Sequence, residues 1–482
     1  MAVRLIPKGD QMVPQGPESG QRKTYSITVE GRERKFHVFL PSAYDGSRRL
    51  PLLLSLHGNS GYQPERESWF YAAEREGFVV VYPEAVKEEK WNIWGLKTKS
   101  GGPDDIAYLD AVLDDMIENF AVDPDRIYMH GQSMGDNMAS YYAYHRSERL
   151  AALTVTSGPV LPSVMYDQEG NLQFGPKKPL PAARTHGEKD YMCGLPSTYG
   201  ISKEVIAQAL TVQEQVELRH TMDSLQKEVW KTVNQTAKKP LLYFDEEKNV
   251  EIYPGKEADF LFYSIVGGVH RPALNVFDML WQGGAKGYYR SGTQRGRDEG
   301  CPGVKPDEKA MAFAQGSDCF YSGLQVRSLK EEGISAEILE NQLYLSAKSI
   351  PKLFPDFDLE LRDDGCSAVF HYQGHEIQCA QGRELFLIDG WAKPAPAPIK
   401  SGENLMISVT HLLPLMGAYY VACRDGAAYA STHPAAMTQD GAYAILEMLD
   451  VRALPSPKEA LAQEAAIRGK IETYIRNMKQ PE

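Results

Sequence analysis

The sequence lacks any apolar run of about 18 residues, so we expect nothing in it to span a membrane. It also lacks a C-x-x-C pair, and its six cysteines lie far apart, which argues against a zinc site. Positive charge is in deficit, and the formal net charge of -12 argues against nucleic acid or an anionic membrane as the main partner. Met1–Arg22 has no apolar core of a signal peptide. We therefore expect a cytoplasmic protein as the sequence stands, or a secreted one if the N-terminus is trimmed.

The cysteine pattern does not fix the redox compartment. Cys366 and Cys379 flank a predicted hairpin and are candidates for facing each other. Burial as small hydrophobic side chains is the more common role for such residues.

The central motif is the run Gly-Gln-Ser-Met-Gly at residues 131–135, a G-x-S-x-G pattern. It lies between a short apolar strand that ends at Met129 and a helix predicted to begin near Met138. A sharp strand-to-helix turn would strain the backbone of Ser133 and lift its hydroxyl to the helix N-terminus. There the N–H of Met134 can meet an oxyanion. The alternative is an ordinary glycine-rich turn.

A serine hydroxyl needs a base within hydrogen-bond distance, and that base needs an orienting acid. Asp190 follows a predicted strand and is our candidate acid, whereas His270 follows a later strand on a Gly-Gly turn and is our candidate base. Ser133, Asp190 and His270 then come in the chain order used by α/β-hydrolases. Rival acids and bases remain, namely Glu188 and Asp223 for the acid and His57, His145, His186 and His220 for the base.

The loop after the apolar strand ending at His57 is predicted to supply a second oxyanion donor, the backbone N–H of Asn59. A tight turn that only packs against the serine loop is the alternative. Five residues near predicted loop ends are candidates for lining a substrate pocket: His57, Trp91, Trp94, Met192 and Tyr199. Core packing is the commoner role for any one of them. This chemistry requires no metal and no organic cofactor.

Strands alternate with helices through the first part of the chain, which predicts an α/β fold with a mostly parallel central sheet. Later, Leu343–Phe354 matches Leu405–Met416 at an offset of about 62 residues, and each unit suggests a strand, a short helix and a hairpin. We predict a smaller α+β tandem-repeat domain there. The predicted divisions are a flexible segment 1–22, a hydrolase domain 23–293, a linker 294–309, the repeat domain 310–454 and a C-terminal helix 455–482.

Together these motifs resemble the polyhydroxybutyrate depolymerase and feruloyl esterase group, the carbohydrate esterase family 1 type of α/β-hydrolase. The residues that carry the resemblance are Leu56–Gly58, Gly77–Glu84, Trp91-Asn92, Asp104-Asp105, Asp125–Tyr128, Gly131–Gly135, His186–Asp190 and Gly268–Pro272. The sequence departs from the family at Asp136, where a second glycine is usual, and in Gly-Val-His-Arg-Pro, where the family has Gly-His-x-Trp-Pro.

The resemblance implies a serine esterase with Ser133 as nucleophile, Asp190 as acid and His270 as base. It favours hydroxycinnamate esters, either small molecules of the feruloyl or chlorogenate type or esters linked to polysaccharides. The alternatives are a depolymerase of hydroxyalkanoate polyesters and an acetyl esterase acting on xylan.

With Gly316-Ser-Asp and their paired strand-helix-hairpin units, residues 310–450 look like the copper amine oxidase N-terminal-like stalk repeat. That resemblance implies a module that binds no copper and serves in attachment or spacing, through a homodimer or the cell wall. A hypothesis of another class is a non-catalytic binding protein that uses these repeats as its working surface.

Overall fold

The computed structural model describes residues 5–8, 11–14, 22–59, 61, 69–86, 90–93, 102–191, 201–292, 294–301 and 303–478. Among the helices of these segments, none combines the length and the hydrophobicity that crossing a membrane demands.

The described strands and helices are numbered here in chain order. The strands are β1 (Leu5–Lys8), β2 (Gln11–Pro14), β3 (Arg22–Val29), β4 (Arg32–Phe39), β5 (Leu50–Leu56), β6 (Val79–Pro83), β7 (Val122–Gln132), β8 (Ala152–Thr156), β9 (Ala182–Gly187), β10 (Leu241–Phe244), β11 (Lys248–Tyr253), β12 (Phe260–Ile265), β13 (Tyr288–Ser291), β14 (Gln294–Arg297), β15 (Met311–Ala314), β16 (Cys319–Ser322), β17 (Gln325–Ser328), β18 (Ala336–Leu339), β19 (Gln342–Ser346), β20 (Phe357–Arg362), β21 (Ser367–Tyr372), β22 (His375–Ala380), β23 (Leu385–Ile388), β24 (Trp391–Pro394), β25 (Ile399–Ser401), β26 (Asn404–Ser408), β27 (Tyr420–Arg424) and β28 (Ala427–Ser431). The helices are α1 (Trp69–Glu76), α2 (Asp105–Asn119), α3 (Met134–Arg146), α4 (Pro162–Met165), α5 (Lys203–Ala209), α6 (Val212–Asn234), α7 (Leu274–Leu280), α8 (Leu329–Glu332), α9 (Ile350–Leu353), α10 (Val409–Leu415), α11 (Gln439–Met448) and α12 (Pro457–Met478).

A large mixed sheet organises the first part of the molecule. Ten described strands lie in the order β10-β11-β12-β9-β8-β7-β5-β6-β4-β3. Neighbours from β12 to β6 run parallel, and the hairpins β10–β11 and β3–β4 add antiparallel strands at the two edges. The central strands are buried along almost their whole length, as expected when helices cover both faces. The predicted α/β-hydrolase type of fold is confirmed, with a sheet that is mixed.

The part of the chain after residue 310 is built mainly of antiparallel sheets, which corrects the prediction of an α+β tandem repeat. The described sheets have the orders β17-β16-β15-β28-β27, β18-β19-β26-β25 and β20-β21-β22-β23-β24. Strands β19 and β26 pair with each other, and each is followed by a short helix. The following hairpins differ, however, because β20–β21 enters a sheet of its own while β27–β28 joins β15. Neither Cys366 nor Cys379 forms a disulfide.

An apolar cluster lies at the junction between the two parts. Leu242 and Phe244 of β10 share one buried cluster with Tyr429 of β28 and with Ile445 and Met448 of α11. Hairpin β10–β11 is therefore covered by the antiparallel sheets rather than left as an open edge of the large sheet.

Two segments outside the predicted hydrolase domain are attached to it. The segment expected to be a linker begins with β14, which pairs with β13, and Asp298 accepts hydrogen bonds from Arg126 at 2.7 and 2.8 Å. Helix α12 returns to the main core, where Ala460, Ile467 and Ile471 are buried. The core of the large sheet thus includes residues from the C-terminal part of the chain.

Candidate active site

The serine turn joins β7 directly to α3. Ser133 lies between them with φ 60° and ψ -120°, a strained conformation for a residue with a side chain. Close backbone packing requires both flanking glycines. A Cβ on Gly131 would lie 2.1 Å from the carbonyl oxygen of Gly135, and one on Gly135 would lie 2.0 Å from that of Leu56. This is the geometry expected from the G-x-S-x-G pattern.

The structure brings the three candidate catalytic side chains together from three strands of the sheet. His270 Nε2 lies 3.0 Å from Ser133 Oγ, and His270 Nδ1 lies 2.9 Å from Asp190 Oδ2. Ser133 follows β7, Asp190 follows β9 and His270 follows β12, so all three lie at the carboxyl edge of the parallel strands. The imidazole is 37% exposed, whereas the Asp190 carboxylate is 5% exposed. This arrangement can take a proton from Ser133 and balance the resulting positive charge.

Asp190 faces a second histidine as well as His270. His186 Nε2 lies 3.5 Å from Asp190 Oδ2, and His186 Nδ1 lies 2.9 Å from Asp223 Oδ2. Burial alone would lower the pKa of His186, but the carboxylates of Asp223 and Asp190 raise it to about 9. Burial would raise the pKa of Asp190, yet His186 and His270 hold it far below its usual value. Asp190 is therefore kept ionised.

Behind this pair, a buried arginine connects the acid strand to the serine turn. Arg184 on β9 places Nε 3.0 Å from Asp223 Oδ1 and its terminal nitrogens 3.1 and 3.2 Å from the Asp136 carboxylate. Asp136 also accepts the Gly158 N–H at 2.8 Å. Burial raises the pKa of Asp136 to about 6 despite the adjacent Arg184. The aspartate that departs from the family pattern thus links α3 to β9.

Sequence reasoning missed several of these supporting residues. His186 and Asp223 were considered only as rival catalytic groups, because nothing in the sequence reveals that they pair. Arg184 carried a usable signal, since a charged residue inside an apolar strand needs a buried partner of opposite charge. Gln132 was also missed, and its amide donates to the backbone carbonyl of His270 at 3.1 Å.

The loop predicted to hold the second oxyanion donor lies against the serine turn. A Cβ on Gly58 would lie 3.2 Å from Ser133 Cβ. His57 Nδ1 donates to the Gly58 carbonyl at 2.8 Å, and His57 Nε2 accepts the Ala85 N–H at 3.0 Å. Because the Gly58 carbonyl faces His57, the N–H of Asn59 in the same trans peptide points away from His57. Burial lowers the pKa of His57, consistent with a neutral ring that fixes this peptide.

The predicted pocket residues have different positions. Trp91 is fully buried and donates its indole N–H to the His57 carbonyl at 2.8 Å, a supporting position rather than the expected pocket lining. Both ring nitrogens of His57 bind backbone atoms. Trp94, Met192 and Tyr199 lie outside the described residues.

The rival groups contact other partners. Glu188 accepts the Gly267 N–H at 2.8 Å, His145 Nδ1 lies 2.8 Å from the Tyr141 carbonyl oxygen, and His220 Nε2 lies 2.6 Å from Glu447 Oε1.

Comparison with known proteins gives one family match: residues 27–253 fit the family described as "Putative esterase". A bifunctional acetylxylan esterase/xylanase of Neocallimastix patriciarum is 32% identical over 182 residues, covering 36% of this chain and 24% of that protein. Feruloyl esterase B of Piromyces equi is 24% identical over 160 residues, covering 33% of this chain and 29% of that protein. The chain thus spans about a quarter of the length of these two curated relatives.

Solved structures are also similar in part. An acetyl xylan esterase from Aspergillus awamori gives a TM-score of 0.37 at 16% identity, covering 54% of this chain and 98% of that chain. A ferulic acid esterase from Anaeromyces mucronatus gives a TM-score of 0.33 at 16% identity, covering 56% and 91% of the two chains.

Proposed function

We propose that this chain, whose residues 27–253 match an esterase family, is a serine carboxylic-ester hydrolase that works through an acyl-enzyme. The observation that carries the proposal is the hydrogen-bonded series Ser133–His270–Asp190. A strained serine turn at the start of a helix, adjacent to a glycine loop, is the setting in which such a series acts on acyl groups.

In the proposed reaction, His270 Nε2 takes the proton as Ser133 Oγ attacks the ester carbonyl carbon. The N–H groups of Met134 and Asn59 would bind the tetrahedral oxyanion. His270 then gives the proton to the departing alkoxide, leaving the acyl group on Ser133. Water, deprotonated by His270, attacks the acyl-enzyme and releases the carboxylic acid. Asp190 stabilises the imidazolium in both halves of the reaction.

The proposed substrates are hydroxycinnamate esters, free or linked to plant polysaccharides, and the feruloyl esterase relative supports this class. Acetyl esters of xylan are the second candidate, because the acetylxylan esterase relative has the higher sequence identity. Hydroxyalkanoate polyesters remain an alternative from the sequence resemblance alone.

The test is a hydrolysis panel of methyl ferulate, chlorogenate, p-nitrophenyl acetate, acetylated xylan and a hydroxybutyrate oligomer. We expect Ser133→Ala to abolish hydrolysis with an unchanged circular dichroism spectrum. The exposed Ser47→Ala is the matched control and should retain full activity. A preference for hydroxycinnamates supports the first candidate, and a preference for acetyl esters supports the second. Activity that survives in Ser133→Ala, or no activity of the wild type on any ester, would contradict the proposal and favour a binding protein.

A further inference from the structure

The turn that carries Asp190 is held from behind by a buried arginine. Arg219 on α6 is 1% exposed and donates to the carbonyl oxygens of Gly187 at 3.3 Å and Glu188 at 3.1 Å. Asp190 lies on the same turn, and its own N–H also donates to the Gly187 carbonyl oxygen at 3.0 Å. The guanidinium therefore fixes the backbone from which Asp190 projects.

This arginine is paired with a carboxylate from the C-terminal part of the chain. Asp440, in the first turn of α11, accepts from Arg219 at 2.6 Å and from the Ser264 hydroxyl at 3.1 Å. Ser264 belongs to β12, the strand that leads to His270. Burial would raise the pKa of Asp440, but Arg219 and His220 hold it well below its usual value. One ionised carboxylate thus connects the acid turn to the strand that carries His270.

A second contact from the same region reaches both turns. Arg424 at the end of β27 donates to Glu188 Oε1 and to the Met437 carbonyl, the latter at 3.2 Å. Glu188 Oε2 in turn accepts the Gly267 N–H at 2.8 Å, in the turn that precedes His270. Glu188 therefore couples the acid turn to the histidine turn, and Arg424 holds Glu188 in place.

The start of α11 fits closely against the large sheet. Asn249 Oδ1 on β11 accepts from the Thr438 N–H at 2.7 Å and from the Thr438 hydroxyl at 2.9 Å. A Cβ on Gly441 would lie 2.2 Å from the same oxygen. This packing, together with the apolar cluster at the junction, fixes the position of Asp440 relative to β12.

We propose that Asp440 and Arg424 are positioning residues for the acid and histidine turns. The C-terminal part then sets the spacing of Asp190 and His270, instead of acting as an independent spacer. The inference rests on the proposed esterase function, since it concerns the same three side chains. Both residues act through others, Asp440 through Arg219 and Ser264, and Arg424 through Glu188.

The test compares kcat and KM of the full-length chain for Arg424→Gln and Asp440→Asn. We expect kcat to fall about tenfold in each with KM changed by less than about twofold, because misplaced turns weaken the transition state more than substrate binding. Arg424→Lys keeps a cation that can reach Glu188 and should recover most of the lost kcat. Arg424 is partly exposed, so its variants are expected to fold even if the loss of the Asp440 charge beside the buried Arg219 impairs the folding of Asp440→Asn.

The matched control is Arg452→Gln. Arg452 crosses the same junction with similar exposure, binds Glu217 at 2.6 Å and packs on the Tyr443 ring, both outside the two turns. Its nitrogen Nε is also 3.7 Å from Glu447, but the shorter contact of Glu447 with His220, at 2.6 Å, does not involve Arg452 and remains in the variant. We expect this variant to lose stability like Arg424→Gln but to keep its kcat. An equal loss of kcat in both variants would reduce Arg424 to a general structural role and overturn the proposal.

A readout independent of hydrolysis is the low-field proton NMR resonance of His270 Nδ1–H, assigned by its absence in His270→Ala. It should shift in Arg424→Gln and Asp440→Asn but not in Arg452→Gln. If Arg424→Gln and Asp440→Asn both keep the wild-type resonance and the wild-type kcat, the proposal is overturned. If the wild type hydrolyses no ester, the proposed function fails, while this resonance still decides whether the two residues position His270 and Asp190.

Discussion

Asp190 is the residue whose surroundings say most about this site, because two imidazoles face one carboxylate. His270 contacts it from the solvent side, and His186 contacts it from the interior. His186 is in turn paired with Asp223, so the buried imidazole carries positive charge at neutral pH. An Asp190 carboxylate flanked in this way is held ionised and oriented before any substrate binds.

Asp190→Asn tests the role of that carboxylate. We expect kcat/KM for ester hydrolysis to fall about 10³- to 10⁴-fold, because an amide neither fixes the His270 tautomer nor balances the imidazolium. Asp358→Asn, which changes an exposed aspartate on β20, is the control and should behave as wild type. Steady-state kinetics on the preferred ester give the comparison, and a loss below about tenfold would argue against Asp190 as the acid.

The buried His186 predicts how stability depends on pH. The pKa of His186 in the folded protein, about 9, lies above the ordinary value of 6.5. The stabilisation that protonated His186 gives to the folded state is therefore complete below pH 6.5 and is lost as the pH rises through about 9. Asp223 and Asp190 raise this pKa, and Arg219 opposes them. We expect the free energy of unfolding to fall between pH 7 and 10 more steeply in wild type than in His186→Gln. Urea titrations at several pH values measure both slopes, and identical slopes would contradict the prediction.

At this scale the sequence predicts three side chains that the structure brings within hydrogen-bond distance, but it does not predict the residues that support them. The order of Ser133, Asp190 and His270 follows from one motif and two strand ends. The pairing of Arg184 with Asp136 depends instead on how β9 is aligned beside β8 and α3, which local patterns do not encode. Side chains distant in sequence meet only after the sheet order is known.

At the scale of elements, the serine turn depends on how closely α3 approaches β5. The backbone at Gly135 approaches the carbonyl oxygens of both Leu56 and His57, so any side chain there must push the turn away from the strand. The same closeness places the Gly58 loop beside Ser133, so a displacement of the serine turn would also disturb the packing of that loop.

Gly135→Ala is expected to lower stability by about 1–3 kcal/mol, because the added methyl group overlaps backbone atoms. It should also lower kcat about tenfold or more through displacement of Ser133. Gly469→Ala is the matched control, since Gly469 lies exposed on α12 with no atom within 4 Å of an added Cβ. That change should raise stability by about 0.5–1 kcal/mol and leave kcat unchanged. Urea unfolding and steady-state kinetics separate the two variants, and equal stability of both would contradict the packing argument.

The strands of the hydrolase part were predictable because apolar runs such as β5 and β6 and their intervening helices have clear periods. The architecture after residue 310 was predicted less well. Its repeated strand and helix segments suggested two equal units. In the structure, however, β20–β21 and β27–β28 pair with different strands and lie in different sheets. Partner choice between short antiparallel strands depends on tertiary packing rather than on local sequence.

For the molecule as a whole, α12 is a structural part of the core of the large sheet. Its amphipathic pattern was visible in the sequence, but its docking site on α4, α5 and α6 was not. Glu464 on α12 accepts from the Ser163 N–H at 2.8 Å and from the Ser163 hydroxyl at 2.7 Å, which adds a partly buried polar contact to the apolar face.

A chain ending at Pro455 should therefore lose at least about 3 kcal/mol of stability, since it uncovers the surface beneath two buried isoleucines. A chain ending at Arg476 is the matched truncation, because it removes none of the three α12 residues that are buried in the main core. We expect that chain to unfold at the wild-type urea midpoint. Equal midpoints for the two truncations would show that α12 contributes nothing to the core.

The position of α12 has a consequence for biosynthesis. A ribosome makes Pro457–Met478 only after all of the antiparallel sheets, although this helix covers the core of the sheet made first. The newly made segment of the large sheet must therefore wait with part of its apolar surface uncovered until α12 has been synthesised. Factors that shield exposed apolar surface during translation would then govern the yield of folded protein.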